Sequence, residues 1–390
     1  MPAMSRSRAA QRATAAYFLV NGVGVGAWVP HLPDRARALG LDAGTLGWAL
    51  LASGLGAVLA MPLAGRLVPR VGSRRVCRVS GAVFPLVLTA MVLAPSTLLL
   101  TLALLTMGVC GASMDVAMNA QGIAIEERLG ERTISRLHGI WSIGAFAGAA
   151  VTSYLLVRHV PAVGIACSIS ACMLLIVLVA SPSLLTYAEE GVQAHPPAFR
   201  PDGRLLLLGM VVFAAMVAEG SIADWSGLYL RVVRSAGPGV SGYGYAAFAA
   251  LMVAGRLCGD RVVARLGEQR VLLCGALLAA AGLAAVVTTG WAGLRGPQWW
   301  LAGFALVGAG LSNCSPVLYR TAGRVPGVPS GAGIATAVGI GYAGLLAGPP
   351  VLGFLGKQAG LTAILIAVIA TCGVLALASP LVRGLSRTGV

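Results

Sequence analysis

The sequence predicts an all-α membrane protein: twelve transmembrane helices in two six-helix bundles. Three observations carry that expectation. Of 390 residues, 57% are hydrophobic and only 11% are charged, with mean hydropathy +0.85, a balance foreign to soluble domains of this length. Apolar runs long enough to cross a hydrocarbon core of about 30 Å recur along the whole chain. One stretch also repeats. Arg66, Arg70, Gly72, Arg75 and Val76 align without a gap on Arg261, Arg265, Gly267, Arg270 and Val271, at an offset of 195 residues, and Trp48 falls on Tyr243. Six spans followed by a second copy of six is an architecture that transporters use.

Taken in order, the first six spans are expected near 14–32, 43–67, 76–95, 97–122, 135–157 and 160–182. The first run has no small-residue cleavage site leading into a soluble domain, so it reads as a span and not as a signal peptide. The stretch 183–203 carries Glu189, Glu190, His195, Pro196 and Pro197 and reads as a linker between the bundles 1–182 and 204–390. Spans resume near 204–230, 239–263, 271–290, 298–320, 329–355 and 359–382. The 53 glycines suit close helix packing in lipid. Most of the 28 Lys and Arg fall before span 1, after spans 2, 4, 6, 8 and 10, and after span 12. That bias predicts both termini and the linker in the cytoplasm.

The formal net charge of +15 does not point to nucleic acid, because the charges sit in short loops with no basic face and no interleaved aromatics. The eight cysteines lack the paired spacing of a zinc or redox site and read as small apolar residues. No nucleotide loop, metal cluster or Ser/His/Asp arrangement is present, so neither an enzyme nor a cofactor is expected.

Polar residues inside the spans are the candidate site. Span 4 places Gly108, Gly111, Asp115 and Asn119 on one helical face, with Gln121 close by. A carboxylate at membrane depth costs several kcal/mol, which makes Asp115 a functional candidate. Span 5 opens with His138 and Trp141. Span 1 carries Asn21 and Trp28 on one face; an amide turned to lipid would be unsatisfied, so Asn21 is expected to point inward. Span 7 carries Glu219 and, about 140° round the helix, Asp224. Glu219 is the second proton-site candidate, and Asp224 is expected to bond near the outer end or to pair with Arg231 or Arg35. The mid-membrane acids are expected to lack a permanent cation, with Arg256 and Arg320 placed at cytoplasmic ends. Span 10 adds Asn313 as a donor and Pro316 as a bend.

On these residues the chain resembles the major facilitator superfamily over nearly its whole length. The family's loop 2–3 signature is matched by Gly65, Leu67, Arg70, Gly72, Arg74 and Arg75, while Pro69 stands where an acid is expected. The resemblance implies a cytoplasmic gate built from Arg70, Arg74, Arg75, Arg261 and Arg265, with Asp260 supplying part of the missing acid's role. Within the superfamily, three groups of residues are similar to the branch holding the fucose–proton symporter and the MosC/YbjJ-like membrane proteins. These are Asp115, Met118 and Asn119; then Arg136, His138, Trp141 and Gly144; and then Glu219, Gly220, Ala223, Asp224 and Trp225. In the symporter an acid four residues before the span-4 Asn takes part in proton coupling, and Asp115 matches it.

The expected function is therefore a monomeric secondary active transporter in the bacterial inner membrane. It would move a small polar solute across the lipid bilayer by alternating access, coupled to protons as in a symporter. Asn21, Trp28, Asn119, Gln121, His138, Trp141, Asp224 and Asn313 would line the substrate cavity. An efflux carrier for an amphipathic compound and a transporter-fold sensor are the alternatives.

Overall fold

The computed structural model describes residues 2–131, 133–190, 203–289 and 296–386. Most of the expected linker lies outside the described residues. Those described are helical, with no strand among them. In chain order the helices are α1 (Pro2–Trp28), α2 (Leu32–Ala38), α3 (Ala43–Val71), α4 (Ser73–Leu93), α5 (Thr97–Leu129), α6 (Ile134–Val157), α7 (Ala162–Ala180) and α8 (Tyr187–Glu190). They continue as α9 (Gly203–Val232), α10 (Tyr243–Leu266), α11 (Glu268–Thr288), α12 (Pro297–Leu311), α13 (Cys314–Ala322), α14 (Ser330–Ala359) and α15 (Leu361–Ser386). Among the described residues, ten spans, one of them α12 and α13 together, are long and apolar enough to cross a bilayer. Two more long helices, α1 and α10, carry arginines that lower their hydropathy.

Local chemistry sets the ends. The Ser96 hydroxyl accepts from the Leu99 amide and caps α5, and the Asp42 carboxylate accepts from the Thr45 amide at 2.7 Å and caps α3. One oxygen of Glu126 takes the amides of both Thr133 and Ile134, satisfying donors that α6 would otherwise leave open. Gly72 (φ +86°) separates α3 from α4, and Gly267 (φ +80°) separates α10 from α11. The two copies of the sequence repeat thus share the same left-handed backbone corner, which a side chain would strain.

The helices pack as two units: Met1–Leu41 with Trp48–Ala194 and Pro238–Gly242, and Asp42–Gly47 with His195–Gly237 and Tyr243–Val390. In the first unit α1 and α6 touch backbone to backbone. A Cβ on Gly22 would meet the Trp141 carbonyl oxygen at 2.1 Å, and one on Gly148 the Val23 carbonyl oxygen at 2.5 Å; Gly26 and Gly144 make the same kind of approach. Small residues that let helices close to this distance replace the hydrophobic drive that lipid cannot supply. Large apolar side chains such as Leu63, Leu98, Val179 and Leu377 are exposed on the outside of the units, as lipid-facing surfaces require.

Three features depart from the sequence expectations. Helix α1 begins about twelve residues before the apolar run, because acids elsewhere hold its arginines: Arg6 pairs with Glu189 at 3.2 Å, and Arg8 with Glu131. Span 10 is not bent but broken, with Ser312 and Asn313 lying between α12 and α13. Pro316 has no N–H for the Ser312 carbonyl, and its ring crowds that carbonyl, so the helical ladder stops there. Finally, the short helix α8 folds back on the first unit, where the Tyr187 hydroxyl donates to the Pro69 carbonyl at 2.8 Å.

Candidate functional site

In the first unit, α1, α5 and α6 bring five of the predicted residues into two hydrogen-bonded groups. Asn21 joins the helices: its Nδ2 donates to the Gly111 carbonyl of α5 at 3.3 Å, and its Oδ1 accepts from Trp141 Nε1 of α6 at 2.8 Å. The second group runs from α5 to α6. Asn119 Nδ2 donates to the Asp115 carbonyl at 2.9 Å and to Asp115 Oδ1 at 3.2 Å, and Asn119 Oδ1 lies 3.2 Å from His138 Nε2. An ionised carboxylate only accepts, so Asp115 fixes which way the Asn119 amide faces. The amide oxygen then turns to His138 and accepts its Nε2 hydrogen. Phe18 stacks edge-on against the His138 ring at 5.2 Å and fixes its plane. Asn119 is the only hydrogen-bond partner of the Asp115 side chain among the described residues, and no cation there pairs with Asp115.

The second unit is wired differently. Glu219 on α9 pairs with Arg256 on α10 at 3.0 Å, with the two side chains 25% and 30% exposed. This corrects the expectation that both mid-membrane acids lack a cation. Arg256 lies about ten residues inside the end of α10, roughly 15 Å along its axis. That depth is a signal the sequence did contain. Asp224, one turn and a half further along α9, takes no hydrogen bond or ion pair among the described residues. The expected partners point elsewhere: Arg231 donates to the Ala236 carbonyl at 2.8 Å, and Arg35 donates to the Ala94 carbonyl.

Two other expectations need correction. Gln121 is fully buried; its Nε2 donates to the Ser73 hydroxyl at 2.7 Å and to the Leu185 carbonyl at 3.0 Å, while its Oε1 accepts from the Leu185 amide at 2.9 Å. Its amide fastens the segment after α7 to α4 and α5 and has nothing left for a solute. Asn313 likewise spends Nδ2 on the Gly255 carbonyl and the Ser312 hydroxyl, both at 3.0 Å, pinning the break in span 10 to α10. Trp28 closes α1 and is buried, 6% exposed.

Of the gate residues, Arg74 donates to the Pro182 carbonyl at 3.0 Å, and Asp260 pairs with Arg320 at 3.2 Å. Arg70, Arg75, Arg261 and Arg265 are exposed. Pro69, in the place of the acid, offers its carbonyl to Tyr187, and Arg70 has no ion-pair partner among the described residues.

A helical chain with this repeat and this polar strip can be set beside known proteins. Residues 14–341 match the family model described as Major Facilitator Superfamily. The chain belongs to that superfamily. Its curated relatives within the Major Facilitator Superfamily include an uncharacterised MFS-type transporter of Yersinia pestis, 36% identical over 90% of each chain. Membrane protein MosC of Rhizobium meliloti is 33% identical over 94% of this chain and 88% of its own. An uncharacterised transporter of Sinorhizobium fredii is 32% identical over 92% and 97%. The crystal structure of a point mutant of the nucleoside transporter NupG superimposes with a TM-score of 0.75, covering 95% of this chain and 99% of that one at 14% identity. That likeness establishes the fold alone. The chain is a multi-pass membrane transporter of the superfamily, as the sequence resemblance implied.

Proposed function

We propose that this transporter is a secondary active carrier that moves a small polar solute against its gradient by coupling it to protons. Asp115 is the proton site, and the cycle is one of alternating access in the bacterial inner membrane, with both termini cytoplasmic. The observation that carries the reading is the bonding of Asp115. Its carboxylate sits within a span, is held by one neutral amide and has no cation beside it among the described residues, so gaining a proton removes a charge that none of them neutralises. Glu219 differs, because Arg256 already compensates its charge. The Trp141 ring supplies an aromatic wall, and the Asp115 carboxylate keeps acceptor positions beyond its bond to Asn119, which suits a hydroxylated solute such as a sugar or related metabolite.

The test is uptake into proteoliposomes under an imposed pH gradient, screened over neutral sugars and polyols. Asp115→Asn keeps the shape of the protonated acid and removes the charge. Accumulation should be lost, while exchange of labelled solute at equal pH on both sides persists. Wild-type accumulation and pH dependence in Asp115→Asn would remove Asp115 from the coupling role. If Glu219→Gln alone abolishes accumulation, the proton site belongs to the Glu219–Arg256 pair instead.

A further inference from the structure

The first unit carries a lateral groove that neither the polar strip nor the gate explains. It lies between the N-terminal part of α1 and the C-terminal part of α7 and encloses a cavity of about 500 Å³. One wall is a row of small residues, Ala9, Ala13 and Ala16, spaced to share one face of α1. The other wall is apolar and includes Leu175 and Val179, which are 62% and 71% exposed and so leave the groove open to the side. Arg12 lines the same groove. It is exposed, and among the described residues it has neither a hydrogen bond nor an ion pair. The contrast within α1 is sharp. Arg6 is held by Glu189 and the Ser183 and Leu184 carbonyls, and Arg8 by Glu131. Arg12 lies one helical turn beyond Arg8, about 6 Å further along the helix from the layer that those pairs form.

We infer that this groove is a binding site for an anionic glycerophospholipid, with an acyl chain against the α1 and α7 walls and the headgroup phosphate on the Arg12 guanidinium. The apolar walls exclude a fully water-soluble ligand, since such a ligand would bury its polar groups without partners. A zwitterionic lipid fills the walls equally well but brings an ammonium beside the arginine. Arginine matches a phosphate in a planar, two-pronged way that a point charge cannot. Basic positions between membrane helices, at headgroup level, recognise such lipids elsewhere. Ser183 at the margin of the groove adds a hydroxyl within the same polar layer, and Arg6 fixes its backbone.

The experiment uses the full chain purified in a neutral detergent and follows thermal unfolding during titration with lipid. Phosphatidylglycerol should raise the unfolding temperature by several degrees, and phosphatidylcholine with the same acyl chains should raise it much less. Glycerol 3-phosphate and inorganic phosphate should have no effect, because they lack the chain that the groove holds. Arg12→Gln should weaken the phosphatidylglycerol response about tenfold in apparent affinity, the loss of one charge-assisted contact. Arg12→Lys should keep part of it. Ala16→Leu leaves the guanidinium in place and fills the groove, so it should abolish the response independently. Equal stabilisation by the two lipids, full phosphatidylglycerol binding by Arg12→Gln, or a response to free phosphate would each overturn the assignment.

Discussion

Asp115 and Glu219 are both carboxylates within spans, and their partners make opposite demands on a substitution. Removing the charge of Asp115 leaves Asn119 with a neutral acceptor and costs little stability. Removing that of Glu219 takes the counter-ion from a partly buried guanidinium. Glu219→Gln should therefore lower the unfolding free energy by about 1–3 kcal/mol, and Asp115→Asn by less than about 1 kcal/mol. Thermal unfolding of the two variants in detergent ranks them, and the reverse order would contradict the pairing described. Gln121 gives a third case at this scale. Gln121→Leu removes the partner of both backbone groups of Leu185 in a buried place, at about 1–3 kcal/mol for each unsatisfied group. The expected outcome is a strongly destabilised protein. The depth of Arg256 shows in the sequence, but these pairings do not. Arg256 is 37 residues from Glu219 and Leu185 is 64 from Gln121, so each contact depends on the phase and depth of two separate helices.

At the scale of elements, the contact between α1 and α6 allows a sharp test. Gly22→Val would drive its side chain into the Trp141 carbonyl, which lies 2.1 Å from a Cβ there. That atom is backbone and cannot turn aside, so the helices must separate and the Asn21–Trp141 bond must break. Loss of folded protein, or loss of solute binding in protein that still folds, checks this; normal yield and binding would refute the close approach. Gly139 has open space at its Cβ position, so Gly139→Ala on the same helix should be neutral. Most elements were legible beforehand, because runs of apolar residues at membrane length leave little alternative. The exceptions have physical causes. The arginines that extend α1 needed distant acids to pair with, and α8 is a single turn whose placement depends on Pro69. In span 10, Pro316 marked a disturbance, but only Asn313, fastened to Gly255, determines that the helix parts and does not merely curve.

At the scale of the molecule, the fold class and superfamily followed from hydropathy, repeat and motifs together, whereas the candidate site was legible only as a set of residue types. The polar anchoring of the first unit outside the spans makes a pH prediction. Burial alone would raise the Glu189 carboxyl, but the Thr186 amide, Arg6 and the Thr186 hydroxyl together outweigh it and hold the group at about 2, against an ordinary 4.5. A depressed acid stabilises the fold fully above its unfolded value and loses that contribution as pH falls through the folded one. Unfolding temperature should thus decline between about pH 4.5 and pH 2, and Glu189→Gln should flatten that limb; an unchanged acid limb in the variant would contradict it. Ser73 and Glu268 follow the two matching glycine corners, yet Ser73 is bound by the neutral Gln121 amide and Glu268 by Arg324 at 3.1 Å. Dissolved salt screens the second connection, whose arginine is 53% exposed, and leaves the first untouched. The two matching corners therefore answer differently to the ionic strength around them: hydrogen exchange near 268 should quicken between dilute and concentrated salt, while exchange near 73 keeps its pace.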